Sequence, residues 1–127
     1  MTLITHMYTT MKPNTFDQIT VKIRKFVTER EWDQFQKPKD LALSLTLEAA
    51  EVLEHFQWKN EDEIAEHLKK SKDDLADELV DTLWYLLALS DKIGVNLETA
   101  FERKLKINQD KYPISKAKGN NKKYTDY

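Results

Sequence analysis

No cysteine occurs among the 127 residues. That excludes a disulfide framework and any thiolate metal site. Glycine is scarce, with two residues, and proline is held to three. They fall between periodic segments, which favours long helices and argues against a strand-rich fold. No apolar run reaches the roughly 18 residues that a membrane helix needs, so no membrane partner is expected. The opening, Met1 to Pro13, lacks a basic n-region, an apolar h-region and a small-residue cleavage site. No secretory signal is read there, and the expected location is cytoplasmic. Net charge is only −2, which offers no broad attraction to a nucleic acid polymer.

What is present suits one soluble helical domain with a single core, at 40% hydrophobic and 33% charged residues. Residues 1–14 read as a flexible lead and 15–113 as the helical domain. Residues 114–127 read as a flexible basic tail, with Lys116, Lys118, Lys122 and Lys123 around Gly119-Asn-Asn121. That tail is either a solvated terminus or a binding arm.

Capping chemistry divides the domain. Thr15-Phe-Asp-Gln18 has capping-box spacing and opens a first helix to about Arg30. Pro38 suits the first turn of a second helix, over about Lys39 to Phe56. Between them, Glu31 to Lys37 reads as a loop carrying Trp32 and Phe35. Asn60-Glu-Asp-Glu63 caps a short connecting helix to about Leu68. Ser71 caps a third main helix to about Ile93, stopped by Gly94. Asn96 caps a fourth, from Leu97 to about Lys111, and Pro113 ends it. The expected fold class is all-α, a four-helix bundle with one short extra helix.

Four acids then stand out. Glu48 and Glu51 interrupt the run Leu41-Ala-Leu-Ser-Leu-Thr-Leu-Glu-Ala-Ala-Glu-Val-Leu53. Glu78 and Asp81 interrupt Leu75-Ala-Asp-Glu-Leu-Val-Asp-Thr-Leu-Trp-Tyr-Leu-Leu-Ala-Leu89. Both runs are otherwise close to apolar all round, so both helices are expected inside the protein. Each pair is spaced to share one helical face. Turned towards each other, the pairs would form a cage of hard oxygen ligands for Mg²⁺, with Mn²⁺ as a substitute or Ca²⁺ as an alternative. Magnesium binds through carboxylates together with substrate phosphates, which points to a phosphate-bearing substrate. The competing reading is two solvated, salt-bridged helix faces. A di-iron bundle is disfavoured, because no Glu is followed three residues later by His.

Neighbouring residues carry two readings each. Tyr85 shares the face of Glu78 and Asp81, and either contacts the cluster or packs in the core. Asp74, Asp77 and Glu54 are supporting acids or solvated ones. His55 is an outer partner of the cluster or a satisfied boundary histidine.

Leu45-Thr-Leu-Glu-Ala-Ala-Glu-Val-Leu-Glu-His-Phe-Gln-Trp58, followed by Asp77-Glu-Leu-Val-Asp-Thr-Leu-Trp-Tyr85, resembles the MazG-like all-α nucleoside triphosphate pyrophosphohydrolases. Within them it is most similar to the short dCTP pyrophosphatase-like branch. The family pattern Glu-Glu-x-x-Glu, then Glu-x-x-Asp, maps onto Glu48, Glu51, Glu78 and Asp81, with Leu47 in place of the leading glutamate. The resemblance spans about Phe16 to Pro113 and makes residues 15–113 a catalytic domain. It implies Mg²⁺-dependent cleavage between the α and β phosphates to a monophosphate and pyrophosphate, on dCTP or a modified relative, in nucleotide-pool sanitation. Glu48, Glu51, Glu78 and Asp81 would be metal ligands and catalytic residues, with Glu51 as the base. Trp32, Trp58 and Tyr85 would define the nucleoside pocket; the two tryptophans either sandwich a base or cap the core edge, and Phe35 is packing. Lys104, Asn108 and Lys111 would reach the phosphates, Lys111 standing where the family usually has arginine. The resemblance also implies a homodimer or homotetramer. A scaffold that binds nucleotide or metal without turnover is the alternative.

Overall fold

Hydrogen bonds at the first helix start follow the sequence pattern closely. The computed structural model describes residues 14–127, so most of the expected N-terminal lead lies outside the described residues. The Thr15 hydroxyl accepts from the Gln18 amide at 3.2 Å, and the Gln18 side chain accepts from the Thr15 amide at 2.8 Å. This reciprocal box opens α1, Phe16–Glu29. A 3-10 turn at Asp33–Phe35 follows, and then α2, Pro38–Glu54, with its proline in the first turn. Helix α3 covers Glu61–Ile93 and α4 covers Leu97–Lys111. A one-turn α5, Ile114–Ala117, and a 3-10 turn, Tyr124–Asp126, complete the chain. No strand occurs among the described residues. The expected all-α class with four main helices is observed. No helix among those residues is long and apolar enough to cross a membrane.

Helix α3 is interrupted where its sequence predicts. Asn60 and Glu63 form a second reciprocal cap, at 2.9 and 3.2 Å. The helix they open reaches Ser71, where the backbone leaves helical geometry, with φ −124 and ψ 21, and a second helix runs on from this kink to Ile93. Neither proline nor glycine occurs in this stretch, so the two segments follow one another without a loop. Gly94, at φ +74, then supplies the left-handed stop. The Asn96 side chain accepts from the Thr99 amide at 3.0 Å and starts α4 where expected.

The chain divides into two compact units, the second spanning Gly94–Tyr127. In the first, α3 packs against α2 and α1. Its buried apolar side chains are Ile23, Val27, Leu41, Leu87 and Ala88. Phe26 meets Trp84 edge-on at 5.1 Å, and the Arg30 guanidinium carbon lies 3.6 Å from the centroid of the same ring. Arg24 forks onto Asp91, its Nε donating at 2.7 Å and its Nη2 donating to the other carboxylate oxygen. That fork holds the Asp91 carboxyl below the usual carboxylate range, against the opposing effect of burial. In the second unit, Tyr112 meets Tyr124 edge-on at 5.9 Å and Tyr127 at 6.1 Å. The segment expected as a basic tail therefore holds a helical turn and two paired rings.

Burial corrects the sequence reading. The two apolar runs are not packed all round: Leu47 is 65% exposed and Val80 is 55% exposed. Leu43, Leu53, Leu79 and Leu86 are exposed as well. Within the chain, Leu87 is buried and Trp84 meets Phe26 of α1. The sequence periodicity marks apolar faces without assigning each to its neighbour.

Two substitutions test this packing. Leu87→Ala should cost about 2–5 kcal/mol through the cavity it leaves, read from urea melts. Arg24→Ala should cost about 0.5–1 kcal/mol, since the pair is largely solvent-screened. Because Asp91 titrates low, the Arg24→Ala deficit should be full at neutral pH and vanish as acid protonates Asp91.

Candidate metal centre

Glu48 projects from α2, and Glu78 and Asp81 project from α3. Packing of the two helices brings one carboxylate oxygen from each residue within 4.8 Å of the others. Glu48 and Glu78 are half-buried, whereas Asp81 and Glu51 are exposed. Glu51 stands near enough to Glu48 and Glu78 to raise the carboxyls of both. Two oxygens stay unsatisfied: Oε2 of Glu48 and Oε2 of Glu78 are buried with no hydrogen-bond partner. None of the ion pairs among the described residues involves any of the four acids.

The electrostatics follow from this crowding. Glu78 is pushed up to about 7, first by sharing a hydrogen bond with Glu51, then by burial and by repulsion from Glu51, Asp81 and Glu48. Glu48 is also raised, first by burial, then by the charges of Glu51 and Asp81. At neutral pH Glu78 thus keeps part of its proton. A divalent cation would replace that proton and satisfy the orphaned oxygens. The donor set is all oxygen, which suits a hard cation. The residues present fit such an ion.

The remaining predicted residues fall into separate places. Tyr85 is half-buried on α3, one turn beyond Asp81. Asp74, Asp77 and Glu54 are exposed and lie outside the three-carboxylate group. Trp32 rests edge-on against Phe26 at 5.9 Å. Trp58 is 91% exposed and sits in the turn between α2 and α3. The structure does not pair these two indoles with one another among its described ring contacts. Backbone strain falls beside both, because Glu31 has φ 55 and Trp58 has φ 65, values that side-chain-bearing residues seldom adopt. Lys104 and Asn108 are exposed on α4. Lys111 is half-buried, with Nζ 4.9 Å from the Tyr124 ring centroid.

Two contacts, one of them for a histidine read as either satisfied or a cluster partner, were not foreseen in the sequence. His55 Nδ1 lies 2.8 Å from His67 Nε2, so His55 is a satisfied histidine rather than a partner of the cluster. Tyr124 also engages Lys111. A histidine twelve residues from another obeys no local spacing rule, so only helix packing reveals the pair. For Tyr124 the one signal was its ring beside the lysines of the tail.

A model of the MazG-like family matches residues 43–127. The dCTP pyrophosphatase 1 proteins of mouse and human are each 38% identical to this chain over 104 residues, 80% of it. The chain spans 61% of the length of each of these relatives. The crystal structure of a pyrophosphatase from Archaeoglobus fulgidus DSM 4304 superposes with a TM-score of 0.73 at 36% identity, covering 81% of this chain and 96% of that one. The carboxylate pattern, the helical framework and these matches agree, and the chain belongs to the MazG-like family.

Proposed function

We propose that the protein is a nucleoside triphosphate pyrophosphohydrolase. It consumes one water, breaks the bond between the α and β phosphates and releases a monophosphate and pyrophosphate. The observation that carries this reading is the group Glu48, Glu78 and Asp81, gathered within 4.8 Å with two orphaned oxygens and no ion pair to a cationic side chain among the described residues. A scaffold gains nothing from such a group, since unpartnered buried carboxylates destabilise. Both the relatives named dCTP pyrophosphatase 1 and the archaeal pyrophosphatase favour this reaction class. They also favour dCTP or a base-modified relative as substrate, and with it a role in nucleotide-pool sanitation.

Glu48, Glu78 and Asp81 would hold Mg²⁺, which when bound neutralises phosphate charge and polarises the reacting phosphoryl group. Glu51 is exposed and lies outside the three-ligand group, and its charge raises both Glu48 and Glu78. Glu51 would accept the proton of the attacking water. Trp32 and Trp58 supply rings for the base, each stacking contact contributing about 1–3 kcal/mol. The strained and almost fully exposed Trp58 fits a ring held out for something other than its own core. Lys104, Asn108 and Lys111 supply cationic and amide groups for the phosphates. The exposed leucines and valine of α2 and α3 support a homodimer or homotetramer. The remaining expectation, a cytoplasmic enzyme, rests on composition alone.

Pyrophosphate release from dCTP with Mg²⁺ tests the reading directly. Glu48→Gln and Glu78→Gln should each abolish it while the helical circular dichroism persists; full activity in either variant overturns the assignment. Trp58→Gly should raise KM several-fold and leave the melting temperature unchanged or higher, since it removes a positive-φ side chain. Glu78 titrates higher folded than unfolded, so its contribution falls as pH rises from the ordinary carboxylate range towards about 7. Metal-free protein should therefore melt lower at pH 8 than at pH 5, and Mg²⁺ should restore more stability at the higher pH. Scanning calorimetry with and without chelator reads both.

A further inference from the structure

Two of the chain's three histidines meet away from the carboxylates. His55 caps the end of α2, and His67 lies in the first half of α3, before the kink at Ser71. Their facing nitrogens, Nδ1 of His55 and Nε2 of His67, are 2.8 Å apart, and the ring planes are tilted by 51°. Both rings are half-buried, shielded by the helices yet within reach of an ion from solvent. In the neutral pair one imidazole donates to the other. The same spacing also matches a coordination edge. Two metal–nitrogen bonds of about 2.0–2.1 Å at a right angle place their donors about 2.8–3.0 Å apart.

We propose that His55 and His67 chelate a divalent d-block ion of imidazole preference, Cu²⁺ most strongly, with Ni²⁺ and Zn²⁺ as weaker ligands of the same pair. Binding needs no net proton release from the neutral pair. The bridging proton of the donor ring moves to that ring's other nitrogen, and both facing lone pairs turn to the ion. Among the described residues, the only group of three or more ligating side chains is Glu48, Glu78 and Asp81, so solvent fills the remaining positions of the histidine site. The two sites then differ in kind: all-oxygen donors select a hard cation, and paired imidazoles select a borderline one. The histidines bracket the turn that carries Trp58, so an ion held by both ties the two sides of that turn together. Nothing in this proposal depends on the hydrolytic reading.

Electron paramagnetic resonance of the full chain, loaded with Cu²⁺ in excess Mg²⁺, tests it. The expected spectrum shows superhyperfine coupling to two imidazole nitrogens. His55→Phe and His67→Phe should each lose that pattern and weaken binding by an order of magnitude or more. His6→Ala should keep the pattern. Addition of diamagnetic Zn²⁺ to the unaltered protein should shift the imidazole ¹⁵N resonances of His55 and His67 together, which guards against a variant that fails to fold. Oxygen-only coupling, shifts confined to His6, or unaltered binding in both phenylalanine variants would overturn the site.

Discussion

The contact between α2 and α3 forces Glu48, Glu78 and Asp81 into one another's fields, with no positive side chain among the described residues to relieve them. Like charges this close repel, and each raises the others' hold on a proton. Apolar packing along the same hairpin holds the acids together against this repulsion. The raised Glu78 carboxyl is the local response, and two oxygens of the cluster have no partner. A hard cation is the ligand that answers both the charge and the orphaned oxygens.

The hairpin that carries the acids also carries much of the chain's open apolar surface. Its inner contacts are satisfied through Leu41, Leu87 and Ala88, while Leu47 and Val80 face outward. Trp58 continues that pattern at the turn, with a strained backbone and little covering from its own chain. Charge crowding inside and apolar exposure outside thus belong to one element pair. A second copy that covered the outer face would stiffen the frame on which the carboxylates sit.

The histidine pair bears on the same two helices by a different route. Glu51 and His55 lie one turn apart on α2, so oxygen and nitrogen donors follow each other towards the turn. Their partners on α3, Glu78 and His67, fall on opposite sides of the kink at Ser71. The kink separates the part of α3 that meets the acids from the part that meets His55.

Local chemistry was legible along the chain wherever a cap decided the outcome. Thr15 with Gln18, Asn60 with Glu63, and Asn96 with Thr99 each form the bond that their spacing implies, because partner and backbone lie within one turn. The break expected at Ser71 is found there too, as a kink where the backbone leaves helical geometry between two segments of α3. Burial of the two apolar runs was overestimated, since periodicity marks a face without saying what covers it.

The sequence by itself determined the helices, their starts and stops, and the sharing of a face by Glu48 with Glu51 and by Glu78 with Asp81. Those outcomes depend on residues within four positions of one another. Only the tertiary structure decided that acids about thirty positions apart converge, that Glu51 stands beside the three-ligand group, and that the Glu78 carboxyl is pushed up. It likewise decided that His55 meets His67. Convergence across helices is set by how two surfaces pack, and no spacing along the chain encodes that distance.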